Sequence, residues 1–162
     1  MIVSKIIQGM IDYSDGNLHD INHFMKVWAY AKTIGESEKI DKEKQLILEV
    51  AAILHDIACP LCREKYGNTN GKYQEKEGVP LVVEFLKDFE LSQAQVDRIA
   101  FLVGHHHTYV DVDGPDYQIL LEADYIVNAD ESGYSKENIA NICNRLFKTQ
   151  TGKSLLKSIY GI

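Results

Sequence analysis

Apolar residues recur along this chain at spacings of three and four, not two. Ile2, Val3, Ile6, Ile7, Met10 and Ile11 form the first such stripe and predict a helix ending near Ser14-Asp15-Gly16-Asn17. Ile21, Phe24, Met25, Trp28 and Ala31 predict a second, from about Asp20 to a stop at Gly35. A polar linker, Glu36 to Lys44, leads into the greasiest run, Leu46-Ile47-Leu48-Glu49-Val50-Ala51-Ala52-Ile53-Leu54. That third helix must weaken by Cys59, because a proline at 60 pushes the residue before it out of the α region. His55-Asp56 therefore falls in its last turn, where the negative carbonyl end favours a cation.

Leu61 to Lys72 is polar and turn-rich and reads as a surface loop. Tyr73 to Glu90 is helical in outline, with a kink or restart at Gly78 and Pro80. Ser92 with Gln95 forms a capping box for a fifth helix, which ends at Gly104 or within His105-His106-His107. A turn segment, Val110 to Asp116, precedes a sixth helix from about Tyr117 to Ala129. Leu120, Ala123, Asp124 and Val127 share one face of it, so an acid sits inside an apolar stripe. Ser135 caps a seventh helix, and a short last one covers Lys153 to Tyr160. No stretch alternates as a strand would, and none repeats. The expectation is all-α.

Composition narrows the partners. At 162 residues the chain fits one domain, residues 1–162, with room for a core. A net charge of −7 offers no basic patch to bulk nucleic acid. No apolar stretch approaches a membrane span, so no membrane partner is expected. The N-terminus lacks the order of a signal peptide, and with three cysteines the expected location is a reducing cytoplasm. A homodimer stays open.

The chemistry begins with His55-Asp56. A histidine and a carboxylate at the end of so apolar a run need partners, and a buried charge needs pairing or a metal. His23, the triplet His105-His106-His107, and Asp124 can supply them. Two imidazoles and two carboxylates (His23, His55, Asp56, Asp124) suit one divalent transition metal, Mn, Fe, Ni, Co or Zn, with Mg also compatible. Such a set leaves positions for water and substrate. Each residue has a plainer reading: Asp124 as a structural ion pair, His23 as a core histidine, the triplet as a solvated helix end.

The order His23, His55-Asp56, Asp124 resembles the HD-domain superfamily of metal-dependent phosphohydrolases. His19-Asp20-x-x-His23-x-x-Lys26-Val27 resembles its first motif, with Lys26 where arginine is common, and Glu122-Ala123-Asp124-Tyr125-Ile126-Val127-Asn128 resembles its last. Lys65-Tyr66-Gly67, Gly71-Lys72-Tyr73-Gln74-Glu75, Gly104-His105-His106-His107-Thr108-Tyr109 and Phe147-Lys148-Thr149 resemble a bacterial subgroup of small HD-domain hydrolases.

The resemblance implies a single HD domain of about six to eight helices around a buried metal. It implies hydrolysis of a small phosphorylated substrate, a nucleotide or related phosphomonoester or phosphodiester. His105, His106 and Lys26 are the candidates to stabilise charge or protonate the leaving oxygen. The superfamily's two-metal branch uses two further histidines. His105 or His106 can be one, and none lies between His55 and His105, which leaves Glu75 or Glu77 to substitute for the other. A di-iron oxygenase and a non-catalytic nucleotide- or partner-binding domain are the alternatives. Arg63, Lys65 and Lys72 are candidates for a phosphate clamp or lid, against an ordinary solvated loop.

Three motifs are set aside. Cys59-Pro60-Leu61-Cys62 has no second pair to complete a zinc site. Gly152-Lys153-Ser154 lacks the first glycine and the strand of a phosphate loop. Asp111-Val112-Asp113-Gly114 has Tyr109 and Leu120 where a calcium loop needs ligands.

Overall fold

A computed structural model describes residues 1–162. It contains helices and no strand: α1 (Ile2–Tyr13), α2 (Leu18–Ser37), α3 (Lys42–Leu54), α4 (Cys59–Tyr66), α5 (Gly71–Leu86), α6 (Gln93–Val103), α7 (Pro115–Glu131), α8 (Lys136–Arg145) and α9 (Gln150–Tyr160). Only a four-residue turn separates α3 from α4; counted as one rod, they leave eight helices.

α3 is the hub. Every residue from Ile47 to Leu54 is buried, as expected of a helix apolar all round. It packs against α2, α6, α7 and α1, while α5 covers α6. Its one buried acid, Glu49, accepts from Trp28 Nε1 at 3.0 Å and Gln45 Nε2 at 2.8 Å, which removes most of the cost of burying it. α7 is buried along most of its length and lies against α2 and α3. The ends of α2, α3 and α7 therefore converge.

The caps expected at Ser92–Gln95 and Ser135 form as read. Other boundaries differ, each for a physical reason. Gly35 does not stop α2; a Cβ there would come within 2.2 Å of Gln45 Oε1 and 3.1 Å of Leu48. The glycine lets α2 and α3 approach closely. Pro60 starts a helix instead of merely ending one, because a first turn has no need of its missing N–H. Residues 61–66, read as loop, are thus helical, and the connection shrinks to Gly67–Asn70. Pro80 is accommodated inside a continuous α5.

Running together, α3 and α4 form a 25-residue stretch, Lys42–Tyr66, long and apolar enough by length and composition to cross a membrane. The sequence reading found no such stretch because it broke the helix at Pro60. In the fold 72 % of its most apolar window is buried, so the hydrophobic surface serves the core.

Candidate metal centre

His55 is the C-cap of α3, and Asp56 follows in a tight corner. Ile57 N–H donates to Leu54 O and Cys59 N–H to Asp56 O, both at 2.9 Å. The two side chains leave this corner toward α2 and α7. His55 is fully buried, while Asp56 keeps a quarter of its side chain open to a cavity of about 190 Å³.

His23, His55 and Asp56 bring ligand atoms within 4.8 Å of one another, and Asp124 approaches both imidazoles. His23 Nε2 lies 3.1 Å from His55 Nε2, 3.3 Å from Asp56 Oδ2 and 3.2 Å from Asp124 Oδ1. His55 Nε2 lies 3.3 Å from Asp124 Oδ1 and 3.6 Å from Asp56 Oδ1. Both rings have committed their other nitrogen. His23 Nδ1 donates to Glu131 Oε2 at 2.7 Å, and His55 Nδ1 donates to the Ala52 carbonyl at 2.8 Å. In the neutral tautomer these bonds select, each Nε2 carries a lone pair. Two lone pairs therefore face each other and an oxygen of each carboxylate, and Asp124 Oδ1 is buried without a hydrogen-bond partner. Mutual repulsion at these distances requires a positive charge among them. The donor set is nitrogen and oxygen, with outer hydrogen bonds fixing the rings, which fits a divalent transition metal.

Protons compete for the same position. Burial opposes charge on His23, but a proton on Nε2 would give Asp124 the hydrogen bond it lacks, and this with the charges of Asp56 and Asp124 and the Glu131 bond lifts its pKa to about 10. His55 is likewise raised: burial works against it, and the Asp56 and Asp124 charges prevail. Burial acts to raise both aspartates, yet the histidines hold them below the usual carboxylate range.

The histidine triplet divides. His105 turns away: its Nδ1 donates to the Phe101 carbonyl at 2.7 Å and its ring stacks on Phe101. His106 is fully buried, donates Nδ1–H to the Val103 carbonyl at 2.7 Å and places Nε2 at 3.4 Å from Asp56 Oδ1. His107 lines the cavity and is kept neutral, its pKa pushed down to about 4 by burial and then by His106. The ligand atoms of Asp56, His106 and His107 lie within 4.8 Å of one another, a second cluster sharing Asp56 with the first. Gln74 Oε1 faces both rings, at 3.2 Å and 3.1 Å.

The substitutes expected from the sequence are elsewhere. Glu75 accepts from His107 N–H and Thr108 Oγ1, both at 2.9 Å, and Glu77 accepts from Lys65 and Tyr66. Within the triplet, it is His106 and His107, adjacent in sequence, that cluster with Asp56. Lys26 stands on the outer side of Glu131, 3.4 Å from Oε1, and lines a different surface hollow with Tyr30 and Tyr160. Cys59 borders the cavity, but burial pushes its thiol far up, so it stays protonated.

Sequence reasoning missed Glu131 and gave no role to Asn128 and Gln74, which it named only within motifs, and all three are at the cavity. Two carried a signal. Asp124, Asn128 and Glu131 are spaced four and three apart, one face of α7. Gln74 carried only its place in a motif, since its partners His106 and His107 come from another helix end.

The HD domain family model matches residues 20–143, and the chain belongs to that family. A search of the curated proteins found no match. Among solved structures, the chain is similar to a predicted HD superfamily hydrolase from an uncultured Thermotogales bacterium, with a TM-score of 0.69 and 22 % identity. The match covers 98 % of this chain and 84 % of that one. The two share a fold.

Proposed function

We propose that this protein is a metal-dependent phosphohydrolase acting on a small phosphate ester, a nucleotide or related phosphomonoester or phosphodiester. The observation that carries this is the buried, unpartnered Asp124 Oδ1 facing two imidazole lone pairs and Asp56 beside a polar cavity. Membership of the HD family and the hydrolase description of the Thermotogales protein support it. His23, His55, Asp56 and Asp124 would hold the metal. Bound there, it supplies a Lewis acid for a phosphate oxygen and lowers the pKa of a water. Asp56, the most exposed of the four, accepts a hydrogen bond from the attacking water and aims it. His107, neutral and lining the cavity, offers the leaving oxygen a hydrogen bond without bringing a charge, and water supplies the proton that oxygen takes up. Lys26 acts on the centre only through Glu131.

Asp56, His106 and His107 would hold a second cation, Asp56 being common to both clusters. That cluster is also what the di-iron oxygenase alternative needs. Elemental analysis of purified protein, then a phosphate-release screen against nucleotides and sugar phosphates with manganese, nickel and cobalt, tests all of this. One or two metals per chain with phosphate release is the expected result. Two irons with oxygen consumption and no phosphate release would favour the oxygenase. Turnover retained by metal-free Asp56→Ala would overturn the metal-dependent mechanism.

A further inference from the structure

The central cavity is strongly acidic. Asp20, Asp56, Asp124 and Glu131 all line it, and Arg63 is the one lysine or arginine among its lining residues. An anionic substrate entering there meets four carboxylates, and a metal at the deep end offsets only part of that repulsion.

Arg63 is placed for the rest. Cys59 and Arg63, four apart on α4, both reach the cavity, so one face of that helix overlooks it. Asp20, in the first turn of α2, takes one N–H from each Nη of Arg63, at 2.8 Å and 2.6 Å. The guanidinium has five N–H donors, so this fork leaves three for another acceptor. As a half-exposed ion pair it is worth little to stability. As a pre-oriented fork it matches a phosphate. The two lysines that the sequence grouped with it do not share its position. Lys65 is bound to Glu77 at 2.7 Å, and Lys72, at the start of α5, is not among the lining residues.

We infer that Arg63, clamped by Asp20 at the cavity, grips a non-bridging phosphate oxygen of the substrate. This rests on the hydrolase reading above and specifies its substrate end: the phosphate is held between the metal and a guanidinium. Asp20 is a positioning residue that keeps the fork facing inward.

The test uses the intact protein titrated with Mn²⁺ and then with inorganic phosphate, both by calorimetry. Arg63→Ala should weaken phosphate binding about tenfold or more, as expected for a lost charge-assisted bond, with Mn²⁺ affinity unchanged. Arg63→Lys should fall between, keeping charge but losing the fork. Unchanged phosphate affinity in a Mn²⁺-binding Arg63→Ala protein would overturn the inference. A second measurement needs no variant. Phosphate with Mn²⁺ should slow phenylglyoxal labelling of Arg63, read by mass spectrometry, and leave Arg145, in a separate tyrosine-lined groove, unaffected. Equal labelling of Arg63 with and without phosphate would overturn it too. Wild-type protein that binds none of Mn²⁺, Fe²⁺, Co²⁺, Ni²⁺, Zn²⁺ or Mg²⁺ would sink the hydrolase reading itself, a distinct failure.

Discussion

Glu122 and Asp124 stand two residues apart on α7, both buried carboxylates in an apolar helix, and they do opposite things. Glu122 is satisfied. Its Oε1 accepts from Gln118 Nε2 at 2.8 Å, Lys148 N–H at 2.7 Å and Thr149 N–H at 3.0 Å, and its Oε2 from Thr149 Oγ1 at 2.5 Å. It is a clasp that fixes the turn between α8 and α9 onto α7. Asp124 faces lone pairs and has an oxygen with no donor at all. Burial of an acid therefore does not mark a reactive centre; the completeness of its hydrogen bonding does. One carboxylate is held by peptide N–H groups and side chains supplied by the fold, while the other faces two imidazoles and takes its positive charge from their proton or from a metal in its place.

The largest effects should separate these two roles. Asp124→Ala should abolish detectable metal binding by titration and phosphate release with it, while circular dichroism shows an intact fold. Its loss should exceed the ~100-fold seen when only a supporting group is removed. Glu122→Ala should do the reverse. Stranding its buried donors should cost roughly 3 kcal/mol or more in urea unfolding, with metal affinity unchanged. A Glu122 variant that lost metal at full stability would erase the distinction.

Smaller changes sharpen it. Glu131→Gln weakens the bond that orients His23, so metal affinity should fall about 10- to 100-fold while stability hardly moves. Gly152→Ala would drive a Cβ into Glu122 Oε2. Forcing the clasp open should lower stability by about 1–3 kcal/mol and leave the metal centre untouched.

The smallest effect per unit change is that of pH. The folded pKa of His23, about 10, lies above its unfolded value of 6.5. Its contribution to the metal-free protein is therefore complete below pH 6.5 and lost as pH rises toward 10, by at most about 1.4 kcal/mol per pH unit. A metal takes the place of that proton, so the rise in melting temperature on adding metal should grow between pH 6.5 and 8.5. A shift that shrank with pH would contradict a ligand role for His23.

Much of this was legible in the residues. The stripes at spacings of three and four gave most of the helices, and Ser92 and Ser135 marked helix starts, because periodicity and capping are local. His55-Asp56 stood out at the end of an apolar run, and Asp124 inside an apolar stripe, because polar groups in such places are costly. Locality also set the errors. Pro60 reads equally as an end or a beginning, and only the packing of α4 chose. Gly35 reads as a stop until α3 is seen against it.

By itself, then, the sequence determined which side chains were anomalous: the histidine–aspartate corner, the acid on α7, the histidine triplet. Tertiary structure alone decided what each anomaly meets. It turned His105 out and His106 and His107 in, gave Glu122 four donors and Asp124 none, and set Arg63 over the cavity while Lys65 stays bound to Glu77. The physical reason is range. Helix propensity and amphipathicity act within a few residues, whereas the partner of a buried charge arrives from a helix a hundred positions away, as Glu131 does for His23.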